Sequence, residues 1–555
     1  MSAATANPAL ARADHASGQF APALAQRPND AELWNGLGVL LFKQGRTAEA
    51  GQSFERAVLL RPLYAEALSN LGSAHQYRGR LAEAVDAFRR ALHLMPQRAE
   101  FYLNLGNALL EQGAIGEAIS SYCTALALNP TLIRAQMNLA ASVLYQPGVT
   151  LGAVLTKARR WSTTVTQPQF PHSRPATALV TSGRKPRIGI ISADFRQHAV
   201  GFLTLPAILG LAQGGYPVTC YSNSLRDDAL TARFKGAVAH WRPAAQLNDK
   251  ALADQIRADQ IDILIDLSGF SAGNRLEALA TRPAPIQIAA WVGYPATTSL
   301  ASMDDVLADR YQIPKGEDGF YSEKIVRLPD SYICFAAPLD SPAINEPPHL
   351  THGFVTFGSF NVLKKINPDV VRVWSRILRA LPDSRLLLKA QGWECDDTRK
   401  RYADLFLAHG IAPARLRFAG SSPPAEHLEW MRRADIALDP FPYAGGRTTL
   451  EALWMGLPVV TLPKATFASR HSLSYLSSLG LSDWVAQDED HYVDLAAGLA
   501  RDLARLSEWR GFLRSRIQTS PLSDGDRFAT KLDTALMTMW RRWCAGDPAD
   551  AFDVF

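Results

Sequence analysis

AEALSNLGSAHQYRGRLAEAVDAFRRALHLMPQR, residues 65–98, is one copy of a 34-residue unit that the chain spells three times in register. Leu37-Gly38, Leu71-Gly72 and Leu105-Gly106 recur at that spacing, as do Gly45, Gly79 and Gly113. So do Ala50, Ala84 and Ala118, then Phe54, Phe88 and Tyr122, then Pro62, Pro96 and Pro130. Small residues at fixed offsets let two helices approach, an aromatic fills the gap, and proline ends each unit. Each copy therefore predicts a helix pair.

This is the tetratricopeptide pattern, and stacked copies wind into a superhelix with a groove. Phe20, Ala23 and Pro28 keep the phase one period earlier, and Asn138-Leu139-Ala140 opens a further copy that fades at Gln146-Pro147-Gly148. Asn70, Asn104 and Asn138 hold one repeat position, where the first copy has Gly36. Identical positions line up along a solenoid, so these amides should form a ladder. An amide both donates and accepts, which suits it to a peptide backbone. The other reading is an asparagine that only satisfies its own helix surface.

The 555 residues are 47% hydrophobic and 20% charged, enough to bury several cores and too apolar for disorder. No apolar run is long enough to span a membrane, and the start lacks the features of a secretory signal, so a soluble cytoplasmic protein is expected. A net charge of +5 spread over this length gives no concentrated basic face for nucleic acid. The five cysteines make no CxxC pair, which speaks against a disulfide framework and a zinc site.

Beyond residue 186 the texture changes. β-Branched runs at 187–193, 216–222, 261–268, 286–292, 304–309 and 324–329 alternate with helical stretches. Residues 337–352 look like a linker, and a second series follows at 354–360, 385–390, 415–420, 434–440 and 457–463. After residue 490 the pattern is helical to the end. The expected fold is an α-solenoid followed by two Rossmann-like α/β lobes. Its divisions are an array over 1–148, a connecting region over 149–185, lobes over 186–345 and 346–530, and a closing helix over 531–555. Ligands of such sheets bind beyond the carboxyl ends of strands, so the cleft between the lobes is the natural site.

No GxGxxG follows a strand and no GxxxxGK[ST] occurs, which disfavours nicotinamide and P-loop chemistry. FPYAGGRTTLEALWMG (441–456) runs from a strand into a helix. Its glycines let backbone approach a ligand, and Thr448 and Thr449 sit in a first turn that favours an anion. Arg447 adds charge, and Glu451 could accept from a ribose; a Thr-capped helix after a glycine turn fits the same letters. FGSFNVLKKINPD (357–369) brings lysines to a strand end, where one ammonium can neutralise a diphosphate or simply be solvated. ISADFRQHAVGFL (191–203) puts His198 in the loop after the first strand, where it could take a proton from a hydroxyl. The strings Asp488-Glu489-Asp490 and Asp524-Gly525-Asp526 follow no apolar strand, so no metal is expected. The chemistry suggested is glycosyl transfer from a nucleotide sugar.

On ADFRQHAVGFL (193–203), IDLSGF (265–270), RPAPIQIAAWVGYPATTS (282–299), YSEKIVRLP (321–329), FGSFNVLKKINP (357–368) and GGRTTLEALWMGLPVVTLP (445–463), the chain resembles the O-linked N-acetylglucosamine transferases of glycosyltransferase family 41, particularly the bacterial ones. The resemblance implies a GT-B fold and inverting, metal-independent transfer from UDP-GlcNAc to Ser or Thr of polypeptides, with no cofactor. It implies His198 as base or orienting group and Lys365 on the donor diphosphate. It implies Gly446, Arg447 and Thr448 as the phosphate turn and Glu451 on the ribose. Ser422, Pro424 and His427 would lie against the base, and Gly293 and Pro295 against the sugar. The Asn ladder would hold the acceptor polypeptide; neither nucleic acid nor membrane is a partner, and a homodimer is left open. The chain departs from relatives at Phe270, where many have histidine, at Arg447 and Glu451, and at Pro424, where animal enzymes have lysine. The alternatives are protein O-fucosyl transfer from GDP-fucose, and a repeat scaffold with inactive lobes.

Overall fold

The structure, a computed structural model, describes residues 18, 20, 22–165, 184–291, 293, 296–338 and 341–555. The array consists of helix pairs Ala31–Lys43 and Thr47–Leu60, Ala65–Tyr77 and Leu81–Leu94, and Ala99–Glu111 and Ile115–Leu128. Helix Ile133–Ser142 and the 3-10 turn Val143–Tyr145 follow. The register seen in the sequence has a steric cause. A Cβ on Gly38, Gly72 or Gly106 would lie 2.5, 2.8 or 2.6 Å from the ring of Phe54, Phe88 or Tyr122, so only glycine lets the second helix seat its aromatic. Gly45, Gly79 and Gly113 turn each pair with φ of +78°, +75° and +83°, the left-handed region that glycine enters without cost.

Two all-parallel sheets follow. The larger holds β1 (Ile188–Ser192), β2 (Val218–Ser222), β3 (His240–Pro243), β4 (Ile263–Asp266), β5 (Ile286–Ala289), β6 (Asp305–Asp309) and β7 (Lys324–Leu328). The smaller holds β8 (Thr356–Ser359), β9 (Arg385–Lys389), β10 (Leu416–Ala419), β11 (Ile436–Leu438) and β12 (Val459–Val460). Their orders are β13-β7-β6-β5-β4-β1-β2-β3 and β10-β9-β8-β11-β12, where β13 is Phe552–Asp553. Most strands are buried along their length, as continuous apolar runs covered by helices on both faces require.

The C-terminal region is not helical throughout. Helix Gly525–Ala545 packs on helix Ala199–Gln213 of the first lobe, and β13 pairs with β7. The last segment thus completes the first lobe's sheet after the chain has passed through the second. Among the described residues no helix is long and apolar enough to cross a membrane.

A buried polar joint ties the lobes together. Tyr332 Oη lies 2.7 Å from His471 Nδ1 and 2.8 Å from Tyr475 Oη. Ser474 Oγ donates to Asp309 Oδ2 at 2.5 Å, and Arg470 makes a two-pronged pair with Glu317. Burial holds the His471 pKa down to about 3, with the nearby Lys365 charge adding to the effect, so the ring is neutral and bonds as a neutral group.

Candidate functional site

Ligand crevices in parallel sheets form where neighbouring strands lead off in opposite directions. In the larger sheet that point lies between β1 and β4, and in the smaller between β8 and β11. Beyond β8 the chain places Asn361 and then the 3-10 turn Leu363–Lys365. Beyond β11 it places Asp439 and the glycine turn that enters helix Arg447–Trp454. Lys365 Nζ donates to Ala444 O at 2.7 Å and to Asn361 Oδ1 at 3.3 Å. Thr448 Oγ1 donates to the same Asn361 Oδ1 at 3.2 Å. One amide carbonyl therefore gathers the lysine and the first-turn threonine.

The electrostatics of this corner follow from its burial. Desolvation lowers the Lys365 pKa to about 8 against the pull of Asp439, with Lys364 adding to the lowering. The ammonium is therefore still charged at pH 7, and poised to gain when an anion arrives. Asp439 Oδ1 accepts from Gly445 N–H at 2.6 Å and its Oδ2 from Thr461 at 2.7 Å, which pins the glycine turn to the strand. Burial raises the Asp439 pKa. Gly446 brings no capping side chain to the helix start, so the first N–H groups have no side-chain acceptor, as an anion site requires, although Thr449 N–H already donates to Gly446 O at 3.2 Å.

The other expected residues of this turn divide. Thr449 is buried, and its hydroxyl sits 2.8 Å from Ser472 Oγ, inside the lobe. Arg447 grips Glu451 Oε1 with Nε at 2.6 Å and Nη2 at 2.5 Å, while its guanidinium lies 3.9 Å over the Phe202 ring of the first lobe. Glu451 Oε2 faces His427 Nε2 at 3.7 Å. Burial raises the Glu451 pKa and lowers that of His427 to about 4, the charges of Lys389 and Arg447 adding to the latter. Ser422 Oγ is buried with no hydrogen-bond partner among the described residues. Pro295 and the side chain of Pro424 lie outside the described residues.

Across the cleft, His198 caps helix Ala199–Gln213. Two groups compete for its Nδ1: Val200 N–H at 3.3 Å and Asp194 Oδ2 at 3.3 Å. The cap needs Nδ1 bare, whereas a proton on Nδ1 suits the carboxylate, gives up the cap and leaves Nε2 as the acceptor. Burial lowers the His198 pKa, with Asp194 opposing and Arg196 and Arg447 assisting, so the ring is neutral at pH 7. The backbone pinch beneath it is tight. A Cβ on Gly201 would overlap Arg196 O, and one on Gly293 would overlap Leu267 O.

A cavity of about 540 Å³ opens beside His198, whereas Asn361, Asp439 and Thr448 line a separate crevice of about 10 Å³ and Lys365 lines neither. His198, Phe270 and Gly293 line the larger cavity from the first lobe, Lys364 and Tyr443 from the second, and Asn138 and Tyr145 from the array. Asn138 Nδ2 donates to Asn107 Oδ1 at 2.7 Å, Asn70 Nδ2 to Asn35 Oδ1 at 2.9 Å and Asn104 Nδ2 to Ser69 Oγ at 3.3 Å. The amides bridge successive repeats through their N–H groups, and no described residue donates to their Oδ1 atoms. The ladder thus runs into the cavity that holds His198.

Sequence reading missed Asn361, Asp439, Asp194 and Tyr443. Position carried a signal for the first three, since each is polar and sits within three residues of the carboxyl end of a buried strand. Tyr443 gave none.

A model of glycosyl transferase family 41 matches residues 161–336 and 346–532, and two tetratricopeptide models match 29–97 and 69–133. A Petunia hybrida protein named probable UDP-N-acetylglucosamine–peptide N-acetylglucosaminyltransferase SPINDLY is 39% identical over 369 residues, covering 65% of this chain and 39% of its own length. An Arabidopsis thaliana protein of the same kind, named SEC, is 29% identical over 70% of this chain and 40% of its own length. The chain thus spans about two fifths of the length of the curated relatives it matches. A lysine-to-methionine mutant of the Thermobaculum terrenum O-GlcNAc transferase superposes with a TM-score of 0.88 at 35% identity, covering 93% of this chain and 98% of that one.

Proposed function

Since the chain belongs to glycosyltransferase family 41, we propose that it transfers N-acetylglucosamine from UDP-GlcNAc to Ser or Thr hydroxyls of polypeptides in the cytoplasm, with inversion and without a metal. The observation that carries this reading is the shared Asn361 carbonyl, which gathers Lys365 and Thr448 at the strand ends of the second lobe. A diphosphate there meets an ammonium and a helix start, the charges a departing UDP needs. The names of the plant and bacterial relatives support the sugar and the peptide acceptor.

In this reading the acceptor hydroxyl, held in the cavity beside His198, attacks the anomeric carbon as the bond to the diphosphate breaks. His198 Nε2 receives the proton, oriented through Nδ1 by Asp194. Lys365 and the first turn of helix Arg447–Trp454 take up the charge that grows on the leaving oxygen. The Oδ1 atoms of Asn70, Asn104 and Asn138 offer acceptors to the N–H groups of an extended polypeptide. Gly293, which lines the cavity, lies against the sugar, and Ser422 and His427 face the base. Glu451 reaches the ribose through Oε2, the oxygen that Arg447 leaves free.

Calorimetry of UDP against GDP, paired with transfer of radiolabelled N-acetylglucosamine to lysate polypeptides in EDTA, tests the proposal. UDP should bind more tightly and label should appear without metal. Preference for GDP would move the donor to GDP-fucose, and binding without transfer would leave a scaffold.

A further inference from the structure

The repeat array ends against the turn that carries Lys365. Tyr145, the last residue of the turn that closes the array, stacks on Tyr443 with ring centroids 4.6 Å apart and planes 14° from parallel. Lys365 Nζ lies 4.5 Å from the Tyr443 centroid, and Lys364 Nζ lies 5.1 Å from that of Tyr145. The same turn is gripped from behind. Leu363 shares a core with Leu81 of the array, and Tyr402 Oη donates to the carbonyls of Leu363 and Ile366 at 3.2 and 3.0 Å. Gly113, a turn glycine of the array, presses so close that a Cβ would stand 2.6 Å from Tyr402 Oη and 3.1 Å from Leu363 O. Arg401 donates to Gln112 O beside it. Val143 and Leu144 of the array, Ala296 of the first lobe and Ala468 of the second form one apolar joint, with Tyr443 packed against it.

We propose that Tyr145 and Tyr443 are positioning residues for Lys365, so that the end of the repeat array, and not the second lobe alone, sets the ammonium that meets the donor. The inference rests on the reading of Lys365 as a diphosphate ligand. A ring face attracts an ammonium through its quadrupole, and a stacked partner fixes where that face points. Without Tyr145, Tyr443 loses its stacked partner and Lys365 its fixed neighbour. The array then acts on donor affinity as well as on the acceptor.

The test compares Tyr145→Leu, Tyr145→Phe, Tyr443→Leu and Tyr443→Phe with Lys365→Ala in the full chain, after circular dichroism and melting show each variant folded. UDP affinity by calorimetry, and KM and kcat for UDP-GlcNAc, are the readouts. The leucine variants should bind UDP about tenfold more weakly and raise KM to match, while the phenylalanine variants keep the stack and stay near the parent. The alkaline limb of kcat/KM supplies a readout at the Lys365 ammonium itself, which a loss of stability elsewhere in the chain would not move. Lys365 is faced by Asp439, Lys364, Tyr443 and His471, and its pKa of about 8 comes from burial. Opening the joint should shift that limb upward, toward an ordinary lysine. Equal effects of phenylalanine and leucine, or a rise confined to the acceptor KM with UDP binding intact, would overturn the proposal. Should Lys365→Ala itself leave UDP binding unchanged, the donor-site reading falls and takes this one with it.

Discussion

Gly106→Ala and Gly51→Ala put the same methyl group into the same repeat array and should move stability in opposite directions. Both positions lie inside helices, where replacing glycine gains roughly 1 kcal/mol from backbone entropy. At Gly51 the new Cβ meets its nearest atoms at 3.7 and 3.8 Å, ordinary van der Waals distances, so the gain stands. At Gly106 it meets Tyr122 Cε1 at 2.6 Å, and that ring is fully buried. Forcing the ring aside costs about 1–3 kcal/mol in overpacking. It also strains the bond from Tyr122 Oη to Asn107 Oδ1, 2.9 Å long, worth about 1 kcal/mol. The net expectation is a loss of about 1–3 kcal/mol at Gly106 against a gain of up to about 1 kcal/mol at Gly51. Hydrogen exchange of the full chain, followed by mass spectrometry over 99–128 and 47–60, reads the two local stabilities separately. Because Tyr122, Asn107 and Asn138 line the cavity, Gly106→Ala should also raise the KM for the acceptor while that for the donor holds. If Gly106→Ala slows exchange as Gly51→Ala does, the steric account of the Leu-Gly register is wrong.

Three further outcomes follow from the site. Lys365→Ala should lower kcat by a factor of about 10²–10³ with the melting temperature little changed, since it removes a charge from the leaving group; near-normal turnover takes the lysine out of the mechanism. His198→Ala should cut transfer while UDP affinity, read by calorimetry, stays within about twofold of the parent; because burial lowers the His198 pKa, the acidic limb of kcat/KM in the parent should lie below the 6.5 of a free imidazole. Asp266 accepts only from Ser268 and Gly269 N–H among the described groups, and burial lifts its pKa from 3.8 to about 7. The folded state thus holds that proton more tightly than the unfolded chain, so its contribution is complete below pH 4 and is lost as pH rises to 7. Asp266→Asn should flatten this slope in melts from pH 4 to 8 by up to about 4 kcal/mol, while the one N–H its amide can no longer receive lowers stability equally at every pH; an unchanged slope removes the account.

The array was legible because its constraints are local and repeated. Gly72 and Phe88 are both fixed by one helix pair, so each copy restates the rule. The buried strands were legible as apolar runs, since a parallel sheet covered on both faces needs them. β3, with its sequence His240–Pro243, is half exposed at a sheet edge and carries no such run, and β13 is two residues long after a helix. At the site, Lys365 and His198 stood out by chemistry and position. Asn361 did not, because its role comes from two partners on different segments. Nor does sequence tell which of two adjacent threonines faces inward; Thr449 turns to Ser472 and Thr448 to Asn361. The stack of Tyr145 on Tyr443 joins distant parts of the chain through neither period nor motif.

The joint of Tyr332, His471, Tyr475, Ser474 and Asp309 bears on how reactants come and go. Swinging the lobes apart like jaws would strip buried hydroxyls and a carboxylate of their partners, a penalty of several kcal/mol. Opening the molecule at this joint is therefore costly, and the cavity beside His198 is walled on one side by the solenoid itself.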